Sequence, residues 1–171
     1  MQAVIITLRG THILLGVFWA GTVLFLNTLL GPSLAAAGPA GGRVMLELGQ
    51  RRFHDVLGVV STLTILSGAG LLWLDSGGLT RAWVIAPVGM AFCVGALAAL
   101  AAYLVGLLAI RPLIARMDQL QVELMEARTE ALRGSHAARL GLMRKQMMHR
   151  SRWTASLLGV AVLAMAVARY L

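Results

Sequence analysis

Arg9 to Asn27, RGTHILLGVFWAGTVLFLN, is an apolar run that carries a histidine well inside it, which no other apolar stretch of the chain does. With about 3.6 residues per helical turn, Arg9, His12, Gly16, Trp19, Ala20, Val23 and Asn27 share one face, while Ile13, Leu14, Val17, Phe18, Leu24 and Leu26 lie elsewhere. In a hydrocarbon setting the polar groups of such a helix turn to the protein interior, so this stripe is expected to face other helices or a ligand. An imidazole there has three uses: a hydrogen bond inside a bundle, ligation of a metal or haem iron, or proton handling. Gly16, four residues after His12, leaves a flat gap over the ring that suits a planar cofactor or simply another helix. For a haem the candidate set is His12 as axial ligand, Gly16 making room, Arg9 as propionate partner, and Trp19 and Asn27 on the same face.

His54 is the second and weaker candidate ligand. A rise of about 1.5 Å per residue separates its ring from that of His12 by about 20 Å along the membrane normal, too far for both to hold one iron. Arg51 and Arg52 beside it resemble a clamp for a propionate or lipid phosphate, and equally a topology signal. His136 and His149 read as solvated. Met143, Met147 and Met148 are thioethers that suit cuprous ion, but their spacing is also that of a packing stripe, and Arg144 and Lys145 between them oppose a cation. No phosphate loop, paired-carboxylate site or serine–histidine–acid set can be assigned from spacing. The acids near the apolar runs, Asp55 and Asp75, stand at their ends, which gives little support to a proton-driven carrier.

The elements that must hold these residues are apolar helices. The chain of 171 residues is 58% hydrophobic and 13% charged, with a mean hydropathy of +0.80, the composition of an integral membrane protein. Thr11 to Leu30, Val56 to Leu74 and Trp83 to Ile110 each reach the length of about 20 residues that a span needs, and Ala155 to Tyr170 is a shorter fourth. The first apolar run lacks a basic segment before it and is read as a retained helix rather than a cleaved leader. The single Cys93 excludes an intramolecular disulfide and a CxxC site, and reads as a packing residue.

With four spans, the first and third loops fall on one side and hold twelve of the fifteen basic residues. That side is then cytoplasmic and both termini lie outside. The net charge of +8 is thereby explained by topology and attraction to anionic lipid head groups, without nucleic acid.

Gly31-Pro32 and Gly38-Pro39-Ala40-Gly41-Gly42 signal the end of the first helix between Leu30 and Ala37. Val44 to Gln50 reads as the start of the second helix, with Arg51 and Arg52 at the head groups. Gly58, Ser61, Thr62, Thr64, Ser67, Gly68 and Gly70 make that second helix the expected centre of the bundle. Gly89, Cys93, Gly95, Ala96, Ala99 and Ala102 give the third a close-packing face. Past Ile110 an amphipathic period continues through Leu113, Met117, Leu120 and Leu124, with Gly134-Ser135 as the expected hinge to a basic second arm, His136 to Arg152.

THILLGVFWAGTVLFL in the first helix, RRF followed by a helix ending STLTILSGAGLLWL, and a basic segment leading into AVLAMAVARYL resemble the small bacterial membrane proteins related to copper-resistance protein D and to the HemJ-type protoporphyrinogen oxidase. The resemblance covers most of the chain loosely, through short motifs. In the oxidase branch it implies a first-helix histidine as haem ligand, here His12. That branch also uses an intramembrane lysine, whereas the one lysine here, Lys145, falls in the second arm. Similar copper-resistance proteins imply metal handling, with further outer-side histidines and methionines that this chain lacks.

The sequence thus predicts a single all-α domain over 1–171. It is a four-transmembrane-helix bundle with spans at about 5–34, 53–74, 83–110 and 153–170 and a cytoplasmic helical hairpin at about 111–152. The function expected is a b-type haem-binding, redox-associated protein of the bacterial inner membrane. The alternatives are a cofactor-free accessory subunit that docks a partner or oligomerises through the hairpin, and, third, copper handling. The expected partners are anionic lipids and a homo-oligomer or larger membrane complex, with no nucleic acid.

Overall fold

The computed structural model describes residues 2–171; most of them are helical, and none lies in a strand. Four helices are long and apolar enough to cross a membrane: α1 (Gln2–Ala36), α3 (Phe53–Asp75), α5 (Pro87–Glu126) and α6 (Glu130–Ala168). Two shorter ones, α2 (Pro39–Gln50) and α4 (Arg81–Ile85), lie between them.

Two prolines sit inside the long helices, and both are accommodated in the same way. A proline has no N–H to donate and its ring presses on the carbonyl one turn back. In α1 the residues Leu26–Leu30, just before Pro32, widen to a π-helical turn. In α5 the residues Val105–Ile110, just before Pro112, do the same. The wider turn shifts the carbonyl register so that the helix passes through. Gly31-Pro32 therefore does not stop α1, which ends at Ala36 before Gly38, at φ +57°.

Val44 to Gln50 does not begin the second long helix, contrary to expectation. It belongs to α2, and the chain breaks at Arg51-Arg52, where Arg52 takes a left-handed φ of 56° before α3 starts. Ala86 is extended ahead of Pro87, so Trp83 lies in the separate α4 and stacks on Phe92. Pro87 at the first position of α5 costs nothing there, because that N–H has no partner in any helix.

The long helices form a ring in which α1 packs on α3, α3 on α5, α5 on α6 and α6 back on α1. Trp19, Ala20 and Val23 of α1, Ala102 of α5, and Ala155 and Leu158 of α6 are its buried centre. Above them Ile65 of α3 packs on Ala98, Ala99 and Ala161. The hydroxyl-rich α3 is not the central helix: its buried Ser61, Thr64 and Ser67 line one side of the ring, mainly against α1. Small residues draw two helices together without making either central. Large apolar side chains such as Leu14, Val17, Leu66, Leu97 and Leu163 are exposed on the outside of helices long and apolar enough to cross a membrane.

Beyond the bundle α5 and α6 run on side by side, closing on Leu113, Leu120 and Leu140. The chain reverses at Ala127 to Thr129, where Thr129 caps α6 by accepting from the Leu132 N–H. Arg133 Nε donates to the Ala127 carbonyl at 3.0 Å. Gly134 and Ser135 are inside α6 and form no hinge; α5 stops at Glu126, eight residues before Gly134, where the backbone turns extended at Ala127, and Thr129 caps α6. His136 is not solvated either: its side chain is 17% exposed and lies 3.7 Å from Glu123 of the facing arm.

Candidate functional site

The stripe from Arg9 to Asn27 is the face that α1 turns to its neighbours. It meets them in two places that differ in chemistry.

At the first, His12 Nδ1 lies 2.9 Å from the Thr64 carbonyl of α3. A carbonyl oxygen only accepts, so Nδ1 carries a proton, and in the neutral imidazole that leaves the lone pair on Nε2. Ser67 Oγ, which donates to the Leu63 carbonyl at 2.7 Å, stands 3.4 Å from the same Nδ1. The imidazole rests on Gly68, where an added Cβ would come within 2.7 Å of Cε1. Only glycine admits the ring so close. Gly16 does not hold a gap open over His12, because the Thr64 methyl fills its surroundings, 3.6 Å from where a Cβ would stand. Arg9, one turn earlier, pairs with Asp75 at 3.1 Å in an exposed position.

At the second, toward the other end of the bundle, α1, α3, α5 and α6 enclose a cleft of about 480 Å³, within the range of small-molecule sites, about 300 to 1,000 Å³. Its lining is mainly apolar and includes Trp19 and Asn27 of α1, His54 and Asp55 of α3, Tyr103 and Arg111 of α5, and Met147 and Ser151 of α6. Asn27 Nδ2 donates to the Val23 carbonyl and to Ser151 Oγ, both at 2.8 Å. Thr62 Oγ1 donates to the Gly58 carbonyl at 2.8 Å and lies 3.1 Å from Tyr103 Oη. Both π-helical turns border the cleft, through Leu26 and Asn27 on one side and Gly106, Leu107 and Ile110 on the other. π-Helical turns recur at functional sites in other proteins.

The candidate residues therefore divide. Arg9, His12 and Gly16 belong to the first place; Trp19, Asn27 and His54 belong to the cleft, which His12 does not line. Thr64 bonds to His12, and ten residues separate it from His54, about 15 Å of helix. One iron cannot bridge the two rings.

No family model, curated protein or solved structure matches the chain.

Among the described residues no three or more His, Cys, Asp or Glu side chains come together to hold a metal ion. The methionines also part company: Met147 lines the cleft, Met143 lies between the arms with Arg116 and Arg139, and Met148 is half exposed. His149 Nε2 accepts from the Trp153 indole at 3.0 Å.

The partners of His12 were half visible in the sequence. The run of small and hydroxyl residues in α3 was evident, but the acceptor is a main-chain oxygen, and no side chain announces it. Tyr103, Ser151 and Thr154 of the cleft were missed in the sequence, because each is a lone polar residue within or beside an apolar helix and no spacing marks it.

Proposed function

We propose that this chain is a b-type haem-binding, redox-associated protein of the bacterial inner membrane. The arms of α5 and α6 form a cytoplasmic hairpin, both termini lie outside, and His12 Nε2 would hold the haem iron. The hydrogen bond from His12 Nδ1 to the Thr64 carbonyl carries this reading. A ligating histidine works as a neutral imidazole whose second nitrogen donates to a carbonyl or carboxylate, which fixes the tautomer and the ring plane and raises ligand basicity. Thr64 and Gly68 together supply that arrangement.

A bound haem would supply one-electron transfer through its iron. The chain's own part is to hold the ring still and, from Arg9, to offer a guanidinium on the same face. An exposed pair such as Arg9 and Asp75 contributes only about 0 to 1 kcal/mol, so Arg9 can exchange Asp75 for a propionate at small cost. The orientation rests on twelve of the fifteen basic residues lying at the arm end of the bundle.

The test is a reduced-minus-oxidised visible spectrum of the protein purified in mild detergent from haem-replete cells, beside His12→Ala. A Soret band with sharp reduced bands, lost in the variant, is expected. A colourless protein, or a spectrum that His12→Ala leaves intact, overturns the assignment. The close seat of the ring on Gly68 favours a second reading, a cofactor-free accessory subunit in which His12 only joins α1 to α3 and the hairpin docks a partner or another copy. The colourless outcome would support it.

A further inference from the structure

The cleft has no part in the haem site. It is mainly apolar and bordered by both π-helical turns. Its shape and charge say what kind of molecule it takes.

The cleft opens sideways. Val59 and Leu63 of α3 line it and are still 60% and 45% exposed, as Leu107 of α5 is 39% exposed. The opening has a frame. Thr62 and Tyr103 join α3 to α5 at one edge, and Asp55 and Arg111 face each other at 3.8 Å at the other. Seven residues of α3 and eight of α5 separate the two edges, so the window is about 10 to 12 Å tall. That is ample for a hydrocarbon chain.

Several of the polar groups that line the cleft are already engaged. Both donors of Asn27, the hydroxyl of Thr62 and that of Thr154 go to protein acceptors, and Tyr103 is held by Thr62. The depth therefore offers few free donors to a polar head and suits an apolar chain. The mouth is different. Arg111 is loosely held, with its side chain 70% exposed and Asp55 at 3.8 Å. In the chain, Arg51 and Arg52 stand just before the cleft's His54 and Asp55, and Arg150 and Arg152 flank its Ser151, with Asp55 and Asp118 as the acids of these segments. An anion is favoured there and a neutral head is not.

We propose that the cleft is a binding site for one anionic phospholipid, entering sideways between α3 and α5 with an acyl chain against Trp19 and Ala102 and its phosphate at Arg111. The proposal rests on the membrane orientation given above and not on haem. Arg111 exchanges a loose carboxylate contact for a phosphate, and arginine presents a planar fork of donors to that group.

Native mass spectrometry of the detergent-purified chain tests it, because a bound lipid and a bound haem differ in mass and are counted separately. The probes are dioleoylphosphatidylglycerol, dioleoylphosphatidylcholine and chainless glycerol phosphate. The expected result is one tightly held phosphatidylglycerol, with phosphatidylcholine at least about fivefold weaker and glycerol phosphate not retained. Arg111→Gln should remove the preference between the two lipids. Gly106→Phe and Gly58→Leu should remove the tight event, with helical content unchanged, because a Cβ at either glycine meets no atom within 4 Å and the larger side chains have open cleft to fill. Equal affinity for the two lipids, binding of glycerol phosphate alone, or a tight event that survives both filling variants overturns the proposal.

Discussion

The two halves of the bundle are built from the same small residues and do opposite things with them. Near the chain ends, a Cβ on Gly68 would strike the His12 ring at 2.7 Å, and one on Gly95 would meet Met165 at 2.8 Å and the Ala161 carbonyl at 3.2 Å. At the arm end, a Cβ on Gly58 or Gly106 would meet nothing within 4 Å. Glycine in a membrane helix permits a neighbour to come close, and it does not oblige one to. What separates the halves is the proline-associated π-helical turns, which among the described residues occur only at the arm end. They carry α1 and α5 past Pro32 and Pro112 and border the open cleft.

The contrast can be broken from either side. The largest effect is expected from Gly68→Ala, which forces His12 off its seat and away from the Thr64 carbonyl. Overpacking of that kind costs about 1 to 3 kcal/mol, visible as a lowered melting temperature in detergent, and with it any haem spectrum should broaden or vanish. A Gly68→Ala protein as stable as the parent would mean that the close half is no tighter than the open one. Gly58→Ala should go the other way, gaining about 0.5 to 1 kcal/mol because the helix prefers alanine and the space is free. Loss of stability there would show that the cleft is narrower than described. Arg9→Gln is the smallest, within about 0.5 kcal/mol in the same melt, since its pair with Asp75 is exposed. A larger loss would make that end pair a structural tie and not a spare cation.

Much of the fold was legible because apolar length and helical period are sequence properties. The four long helices, the continuation of the third beyond Ile110 and the inward stripe of α1 all follow from them. The failures have particular causes. Gly134-Ser135 looked like a hinge by composition, yet the turn forms at Ala127 to Thr129, where the Thr129 cap decides it. Val44 to Gln50 looked continuous with the second span, yet Arg52 adopts a positive φ that residue type does not betray. For α3, the error was to equate small residues with a central position. At the site, the face of α1 was readable and its division was not. His12 and Asn27 lie on one stripe, about 22 Å apart along the axis, and only the packing of α3 and α6 sends them to different neighbours.

The last helix runs unbroken through 39 residues, about 58 Å, from the turn after α5 to the far end of the bundle. A rod of that kind has no joint at which to absorb rotation. It grips its neighbours at adjacent positions: Arg150 holds the Ala109 carbonyl of α5 at 2.7 Å, and Ser151 holds Asn27 of α1 at 2.8 Å. The arm and two walls of the cleft are therefore tied together within a single turn of one helix.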